Sequence, residues 1–275
     1  MEPLTLVFIV AAVTCALCWV LSLITKDTSW VDRIWSVVPV AYVWIFAGAA
    51  LAEGKDAARL VIMAVLVTAW GARLTFNFAR KGGYTGTEDY RWPILRARMS
   101  RWQFEIFNFF FISLYQNVIL LLITLPALTA YEHRSTPFGV LDAVVAVVFL
   151  GLLAGETIAD QQQWNFHKLK KAGGPEFRPR FLQSGLWRFS RHPNFFFEQA
   201  QWWALFFFGA IAAGSVLQRT VLGAVLLTLL FVGSTIFTES ITKSKYPEYA
   251  DYQATTSPII PWFPRPRAAA ARSAA

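Results

Sequence analysis

The sequence is short of charged residues, cysteines and histidines, and each shortage excludes a class of protein. Asp, Glu, Lys and Arg make up 15% of the 275 residues, against about 25% in soluble domains. The two cysteines, Cys15 and Cys18, lie one helical turn apart in an apolar run and cannot join distant segments. Three scattered histidines lack metal-ligand spacing. We therefore predict neither a soluble domain nor a disulfide scaffold, and we expect no metal.

Motifs of the common nucleotide-binding and hydrolytic enzymes are also missing. The chain has no G-x-G-x-x-G after a strand pattern, no G-x-x-x-x-G-K-[ST], no H-E-x-x-H and no G-x-S-x-G. This absence argues against a Rossmann or P-loop mode of nucleotide binding and against the common hydrolase sites.

Apolar segments dominate the chain, with 56% hydrophobic residues and a mean hydropathy of +0.43. A membrane-spanning helix needs about 20 mostly apolar residues. The segments that approach this requirement are Leu4–Ile24, Ile34–Leu51, Leu60–Phe78, Phe104–Leu128, Leu141–Ile158, Phe195–Gly214 and Val221–Phe237. The sequence therefore predicts an all-α polytopic membrane protein with seven transmembrane helices, a single domain over residues 1–263 and a disordered tail over 264–275.

Lys and Arg are concentrated in alternate loops, although the net charge of +8 could also suggest nucleic acid. By the positive-inside rule this asymmetry places the N-terminus outside and the C-terminus in the cytoplasm. The third loop, residues 79–103, and the fifth, residues 159–194, are then cytoplasmic covers. The third is expected to include a short surface helix. No nucleic-acid partner and no obligate protein partner are expected.

Polar residues within or beside the predicted spans collect on the cytoplasmic side. Arg73 with Asn77 and Glu156 with Asp160 are i, i+4 pairs that share a helix face. Intramembrane ionisable residues usually line a cavity. The pattern predicts a polar cavity beneath basic loops, suited to a ligand with several phosphates. An apolar chamber deeper in the membrane would carry Tyr115.

The segment Ser184–Glu198, which contains Arg-His-Pro-Asn, resembles the C-terminal region of the steroid 5α-reductase family, and more closely its bacterial seven-span branch. Segments Ser29–Trp35, Glu88–Arg91 and Tyr246–Tyr252 extend the likeness over nearly the whole chain. The Arg-His-Pro string also occurs in isoprenylcysteine carboxyl methyltransferases, but the N-terminal strings favour the reductases.

The resemblance implies an NADPH-dependent oxidoreductase that reduces the 4,5 double bond of a 3-oxo-Δ4 steroid or a similar hydrophobic enone, in a bacterial inner membrane. Its substrate would enter from the lipid bilayer. The predicted cofactor-binding residues are Arg73, Asn77, Asp89, Arg91, Glu156, Asp160, His167, Arg178, Arg180, Arg191, His192, Asn194, Glu198, Trp202 and Glu239.

The catalytic residues follow from the same resemblance. Asp32 stands approximately where animal members carry a catalytic Glu, and Trp70 where they carry its Tyr partner. Because an indole cannot serve as an acid, Tyr115 is the substitute candidate, with a structural hydrogen bond as its alternative role. Phe197 replaces the Gly that family members usually have before Glu198.

Two other functions stay open from the sequence. An S-adenosylmethionine-dependent methyltransferase of the isoprenylcysteine type would share the cavity and the His-Pro string, but it has less use for phosphate-binding arginines. A non-enzymatic lipid-binding or transport protein would carry polar groups on both membrane sides, whereas here the outer loops are short.

Overall fold

The structure is a computed structural model that describes residues 1–266, and these residues form helices with no β-strand. The helices are α1 (Pro3–Thr25), α2 (Trp30–Ile34), α3 (Val38–Ala52), α4 (Ala58–Arg80), α5 (Arg91–Arg98), α6 (Arg101–Phe107), a π-helical segment (Asn108–Tyr115), α7 (Gln116–Leu122), α8 (Pro126–Glu132), α9 (Val140–Ala172), α10 (Pro193–Ala213), α11 (Val221–Lys245) and α12 (Tyr249–Thr255), with 3₁₀ turns at Gly174–Glu176 and Gly185–Arg188. The predicted all-α class is confirmed.

Six helical segments of the described residues are long and apolar enough to cross a membrane. They are Pro3–Thr25, Trp30–Ala52, Ala58–Arg80, Arg101–Glu132, Val140–Ala172 and Val221–Lys245. The predicted span Phe195–Gly214 forms helix α10, but Glu198, Gln199 and Gln201 make it less apolar than the other six. The chain is a multi-pass helical membrane protein, and the predicted count of seven spans is not supported.

Helix α9 continues well beyond the predicted span Leu141–Ile158 and ends at Ala172. Good helix formers occupy its polar second half, and buried Phe166 anchors that half in the fold. Gly173 and Gly174 follow directly and stop the helix. The predicted fifth loop is therefore partly helical.

Of the predicted disordered tail, residues 264–266 have no regular secondary structure and the rest lies outside the described residues.

The chain divides into two compact units, of which unit 1 comprises Met1–Leu150 and Trp202–Leu227. Small residues allow its helices to approach closely, as is common in membranes. A Cβ atom on Gly71 of α4 would lie 2.5 Å from the Ser36 carbonyl oxygen and 2.7 Å from Val40 Cγ2. The hydroxyls of Ser36 and Thr75 share a hydrogen bond of 2.7 Å.

A buried ion pair joins the N-terminal ends of α4 and α9 within unit 1. Arg59 donates to both carboxylate oxygens of Asp142, at 2.7 and 2.8 Å, and both side chains are almost fully buried. Arg59 also donates to the carbonyl oxygens of Thr136 and Pro137 at 2.9 and 3.0 Å. Such two-point pairs are geometrically specific, and this one fixes the connection between α8 and α9.

Unit 2 comprises Gly151–Gln201 and Thr228–Ala275, and an aromatic cluster organises it. Phe181, from the loop after α9, packs against Tyr249 and Tyr252 with ring centroids 5.0 and 5.6 Å apart. Burial raises the pKa of both phenols, so they remain hydrogen-bond donors. Tyr252 donates to the Trp187 carbonyl oxygen, and the Trp187 indole donates to the Ala159 carbonyl oxygen at 3.2 Å. These contacts hold the loop on α9 and α12.

Candidate functional site

Asp32 lies on the short helix α2 and is held by groups from two parts of unit 1. The Trp92 indole N–H, on α5, donates to Asp32 Oδ2 at 3.1 Å. The Ser29 hydroxyl interacts with the same carboxyl group, and its oxygen accepts the Asp89 backbone N–H at 2.9 Å. Helix α2 and the segment before α5 therefore meet at Asp32. We call Ser29, Asp32, Asp89, Arg91 and Trp92 the Asp32 site.

Within the Asp32 site, Asp89 and Arg91 form a two-point ion pair. Arg91 Nε and Nη2 donate to the two Asp89 carboxylate oxygens at 2.8 and 2.9 Å. Burial alone would lower the pKa of the Arg91 guanidinium, but Asp89 and Asp32 outweigh it and raise the pKa above its usual value. Arg91 therefore stays charged. The structure brings three predicted site residues together here.

A second ion pair pins the same segment to the end of α1. Glu88 accepts the Thr28 backbone N–H at 3.0 Å and its hydroxyl at 2.9 Å, and Arg96 donates to it at 2.7 Å. Partial burial alone would raise the pKa of the Glu88 carboxyl, but these bonds outweigh it and hold the pKa below its usual value. Segments Ser29–Trp35 and Glu88–Arg91 thus form one structural element.

A buried apolar cluster adjoins the Asp32 site through Trp92. Trp92 belongs to a buried cluster with Cys18, Val31, Phe104 and Ile112. This cluster limits water on one side of the carboxyl group, as a membrane-embedded acid requires.

Tyr115, the predicted second catalytic residue, lies at the end of the π-helical segment. Its ring stacks on Phe111 at 5.4 Å, and Phe111 stacks on Phe107 at 4.8 Å. Phe107 packs against Trp92 at 6.5 Å. Two phenylalanine rings therefore stand between Tyr115 and the indole that holds Asp32. A π-helical segment inside a helix is a frequent feature of functional sites.

The other predicted site residues of unit 1 lie on or beside α4. Asn77 is buried and accepts a hydrogen bond from Arg80 Nε at 2.9 Å, one turn along from Arg73. Trp202 packs edge-to-face on fully buried Trp70, with ring centroids 4.7 Å apart. This contact places Trp202 in the core of unit 1.

In unit 2, the Arg-His-Pro segment forms a buried network around Glu239. Arg191 Nε and Nη2 donate to the two Glu239 oxygens at 2.6 and 3.0 Å. His192 Nε2 lies 3.1 Å from Glu239 Oε1, and Tyr249 and Gln253 donate to the carboxylate at 3.3 and 2.8 Å. We call these five residues the Glu239 network. Because both oxygens of Glu239 are occupied, this residue is suited to positioning Arg191 and His192.

Further predicted residues of unit 2 lie on α9 and α10. Glu156, Asp160 and Glu198 are each at most 5% exposed. Glu156 Oε2 accepts a hydrogen bond of 2.6 Å from Gln201 Nε2. Asn194 Oδ1 is buried and has no hydrogen-bond donor among residues 1–266. This oxygen is an acceptor that a ligand N–H or O–H could use.

The remaining predicted residues of unit 2 lie near its surface. His167 and Arg178 are exposed, and Arg180 is half-buried. Arg178 donates to the Phe177 carbonyl oxygen at 3.2 Å, and Arg180 donates to the Pro175 carbonyl oxygen. Their predicted role with cofactor phosphates stays a prediction.

Phe197, which departs from the reductase pattern, is accommodated by a glycine on the neighbouring helix. A Cβ atom on Gly155 of α9 would lie 2.5 to 2.9 Å from three carbons of the Phe197 ring. The ring therefore lies directly on the backbone of α9, and the substitution for glycine on α10 affects helix packing.

We expect Gly155→Ala to destabilise the protein by about 1–3 kcal/mol, because the added methyl group overpacks this contact. Thermal unfolding in detergent measures the change. The Gly155→Ala/Phe197→Ala double variant should lose much less than the two single effects added together. Gly151→Ala, one turn earlier with nothing within 4 Å, is the matched control and should be neutral or stabilising. Additive single effects would contradict the contact.

Several residues of these sites were missed by sequence reasoning. Trp92 and Gln253 lie in ordinary amphipathic segments, and nothing in their spacing marks them. Gln201 does carry a signal, because it is a polar residue in the apolar run of α10, and such residues are rarely without a structural or functional role.

Comparisons with known proteins agree with a membrane enzyme. Residues 18–256 match the model of a family of proteins of unknown function, DUF1295. The chain is 38% identical over 260 residues to an uncharacterised protein of Schizosaccharomyces pombe, covering 88% of this chain and 75% of that one. No solved structure matches. DUF1295 lies in a superfamily of membrane enzymes that includes steroid 5α-reductase-like proteins and phosphatidylethanolamine methyltransferases. On the extent of the family match, the chain belongs to DUF1295.

Proposed function

We propose that this protein is an NADPH-dependent reductase that saturates the double bond of a hydrophobic enone of the 3-oxo-Δ4 steroid type. The observation that carries the proposal is the Asp32 site, a carboxyl group with an indole donor and an ion pair beside it, next to an apolar cluster. Membership of a superfamily that contains steroid 5α-reductase-like enzymes supports it.

The residues of unit 2 fit the nucleotide that such a reaction needs. Asn194 offers a buried acceptor suited to a carboxamide N–H. Glu156, Asp160 and Glu198 are buried carboxylates of the kind that bind ribose hydroxyls, and Arg191 is held rigidly by Glu239. NADPH would supply a hydride when bound.

Asp32 would act on the carbonyl oxygen of the enone. Addition of hydride to the β-carbon develops negative charge on that oxygen, and a nearby acid stabilises it. The Trp92 indole donates to Asp32 Oδ2 and would hold the carboxyl group in place while Asp32 supplies its proton. Overall, the enone gains one hydride, which bound NADPH would supply, and one proton.

The experiment that tests this function measures ligand-dependent thermal stabilisation of the detergent-purified protein. A ligand that binds only the folded state raises apparent stability by mass action. We expect NADPH to stabilise the protein, and the shift to be lost in Asn194→Ala but retained in Arg188→Gln, an exposed control in unit 2. NADPH oxidation should then depend on an added enone such as progesterone. Stabilisation by S-adenosylmethionine and not by NADPH would overturn the reductase in favour of a methyltransferase.

A further inference from the structure

A cavity of about 310 Å³ lies in unit 2, where α12 and the segment after it meet Arg191. Arg191, Gln253, Ser257, Trp262, Phe263 and Arg265 contribute to its lining. Among the described residues that line it, none is acidic. A volume of this size is at the small end of ligand pockets, which begin at about 300 Å³, and suits one nucleoside better than a whole dinucleotide.

The walls of the cavity are fixed by backbone hydrogen bonds. Arg191 N–H donates to the Ser257 carbonyl oxygen at 2.8 Å, and Trp262 N–H donates to the Phe189 carbonyl oxygen at 2.9 Å. Arg265 N–H donates to the Thr255 carbonyl oxygen, also at 2.8 Å. Although residues 257–266 lack regular secondary structure, their backbone is attached on both sides of the cavity.

The cavity carries one positive charge that the protein does not neutralise within the described residues. Glu239 neutralises Arg191. The Arg265 guanidinium, by contrast, forms no hydrogen bond or ion pair with residues 1–266. An arginine fork presents two parallel donors, which match a phosphate group.

An exposed aromatic ring lies in the same lining. Trp262 is 69% exposed although its backbone is anchored. A flat indole beside a guanidinium can stack on a nucleobase while the cation binds phosphate. Ser257 adds a hydroxyl for a sugar oxygen. Cation, flat ring and hydroxyl together describe a nucleoside phosphate.

We propose that this cavity binds the adenosine 2′-phosphate part of a dinucleotide, with Arg265 on the phosphate and Trp262 on the adenine. The identification of the nucleotide rests on the proposed function, whereas the site itself rests on the cavity and its charge. It would make Arg265 a specificity-determining residue that distinguishes NADPH from NADH.

The test uses adenosine 2′,5′-bisphosphate and adenosine 5′-monophosphate as probes of the full chain in detergent, with calorimetric affinities. We expect the bisphosphate to bind more tightly, by about 10- to 100-fold, the range for a hydrogen-bonded charged group. Arg265→Gln should abolish this difference, whereas Arg188→Gln should keep it. Trp262→Leu should weaken both probes, and Trp262→Tyr should restore them.

Four results would overturn the site. The first two are a failure of the bisphosphate to bind and an unchanged difference between the affinities for the two probes in Arg265→Gln. The other two are unchanged affinities in Trp262→Leu and an effect of Arg265→Gln that is confined to the binding of phosphatidylglycerol nanodiscs. The last result would identify a lipid headgroup as the source of the phosphate. The outcomes for the reaction are separate. If the protein reduces the enone but Arg265→Gln does not change its preference for NADPH over NADH, the site is refuted and the reaction is not. If bisphosphate binding depends on Arg265 but the protein does not reduce the enone, the reaction is refuted and the site is not.

Discussion

Asp32→Asn is expected to lower kcat for NADPH-dependent enone reduction by about 10²–10⁴-fold, the usual contribution of a positioned acid. Asparagine has the same shape and keeps an oxygen for the Trp92 indole, so the site should remain folded. It loses the ability to supply a proton. The same variant should leave the NADPH-induced stabilisation unchanged, because Asp32 is proposed to act on the enone and not on the nucleotide.

The effect of Asp32→Asn must be separated from a general effect of losing a carboxylate. Asp56→Asn is the matched control, since Asp56 is exposed and its side chain only accepts the Ala58 backbone N–H at 3.0 Å, which asparagine also does. Initial rates should be measured across a range of enone concentrations. A rise in KM with an unchanged kcat would show that Asp32 binds substrate and is not the acid.

Replacement of Trp92 is an independent test of the proposed role of Asp32. Because Trp92 acts only through Asp32, its replacement by Phe should alter the pH profile of kcat rather than eliminate turnover. Phe keeps the packing against the apolar cluster but removes the N–H donor to Oδ2. The chemistry of the site thus depends on α5 as well as on α2.

The membrane class could be predicted because composition and the length of apolar runs are local properties. Helix α10 shows the limit of this reasoning. Its length fits a span, but Glu198, Gln199 and Gln201 form a polar side of the helix. The role of these polar residues can be recognised only when the neighbouring helices are known. The end of α9 was misplaced for a related reason, since a helix can continue after its apolar run ends.

The candidate site was predictable where the residues lie close in sequence or on one helix face. Arg191 with His192, and Asp89 with Arg91, are such cases. Pairings across long separations were not predictable. Nothing near Asp32 in the sequence points to Trp92, 60 residues away, and Arg59 pairs with Asp142 across 83 residues. Only the packing of helices brings these partners together.

Glu239→Gln is expected to destabilise the folded protein by about 3–5 kcal/mol, the cost of leaving a buried charge without its partner. Arg191 and Glu239 are each 8% exposed at the side chain. Glutamine cannot neutralise the Arg191 guanidinium or accept all the donors that surround Glu239. For a chain of this size the loss corresponds to a fall in Tm of about 6 °C or more, measurable by thermal unfolding in detergent without ligand.

The size of this loss reflects an uncompensated charge, so removing both charges should cost much less than removing one. Arg191→Met/Glu239→Leu replaces the pair by apolar side chains of similar volume and should recover most of the stability lost by either single variant. Glu248→Gln, an exposed acid beside α12, should change stability by less than about 0.5 kcal/mol. Equal losses in the single and double variants would contradict an ion-pair role and assign the stability to packing. If the double variant recovers its stability but does not bind NADPH, the charged pair of Arg191 and Glu239 also positions the cofactor site.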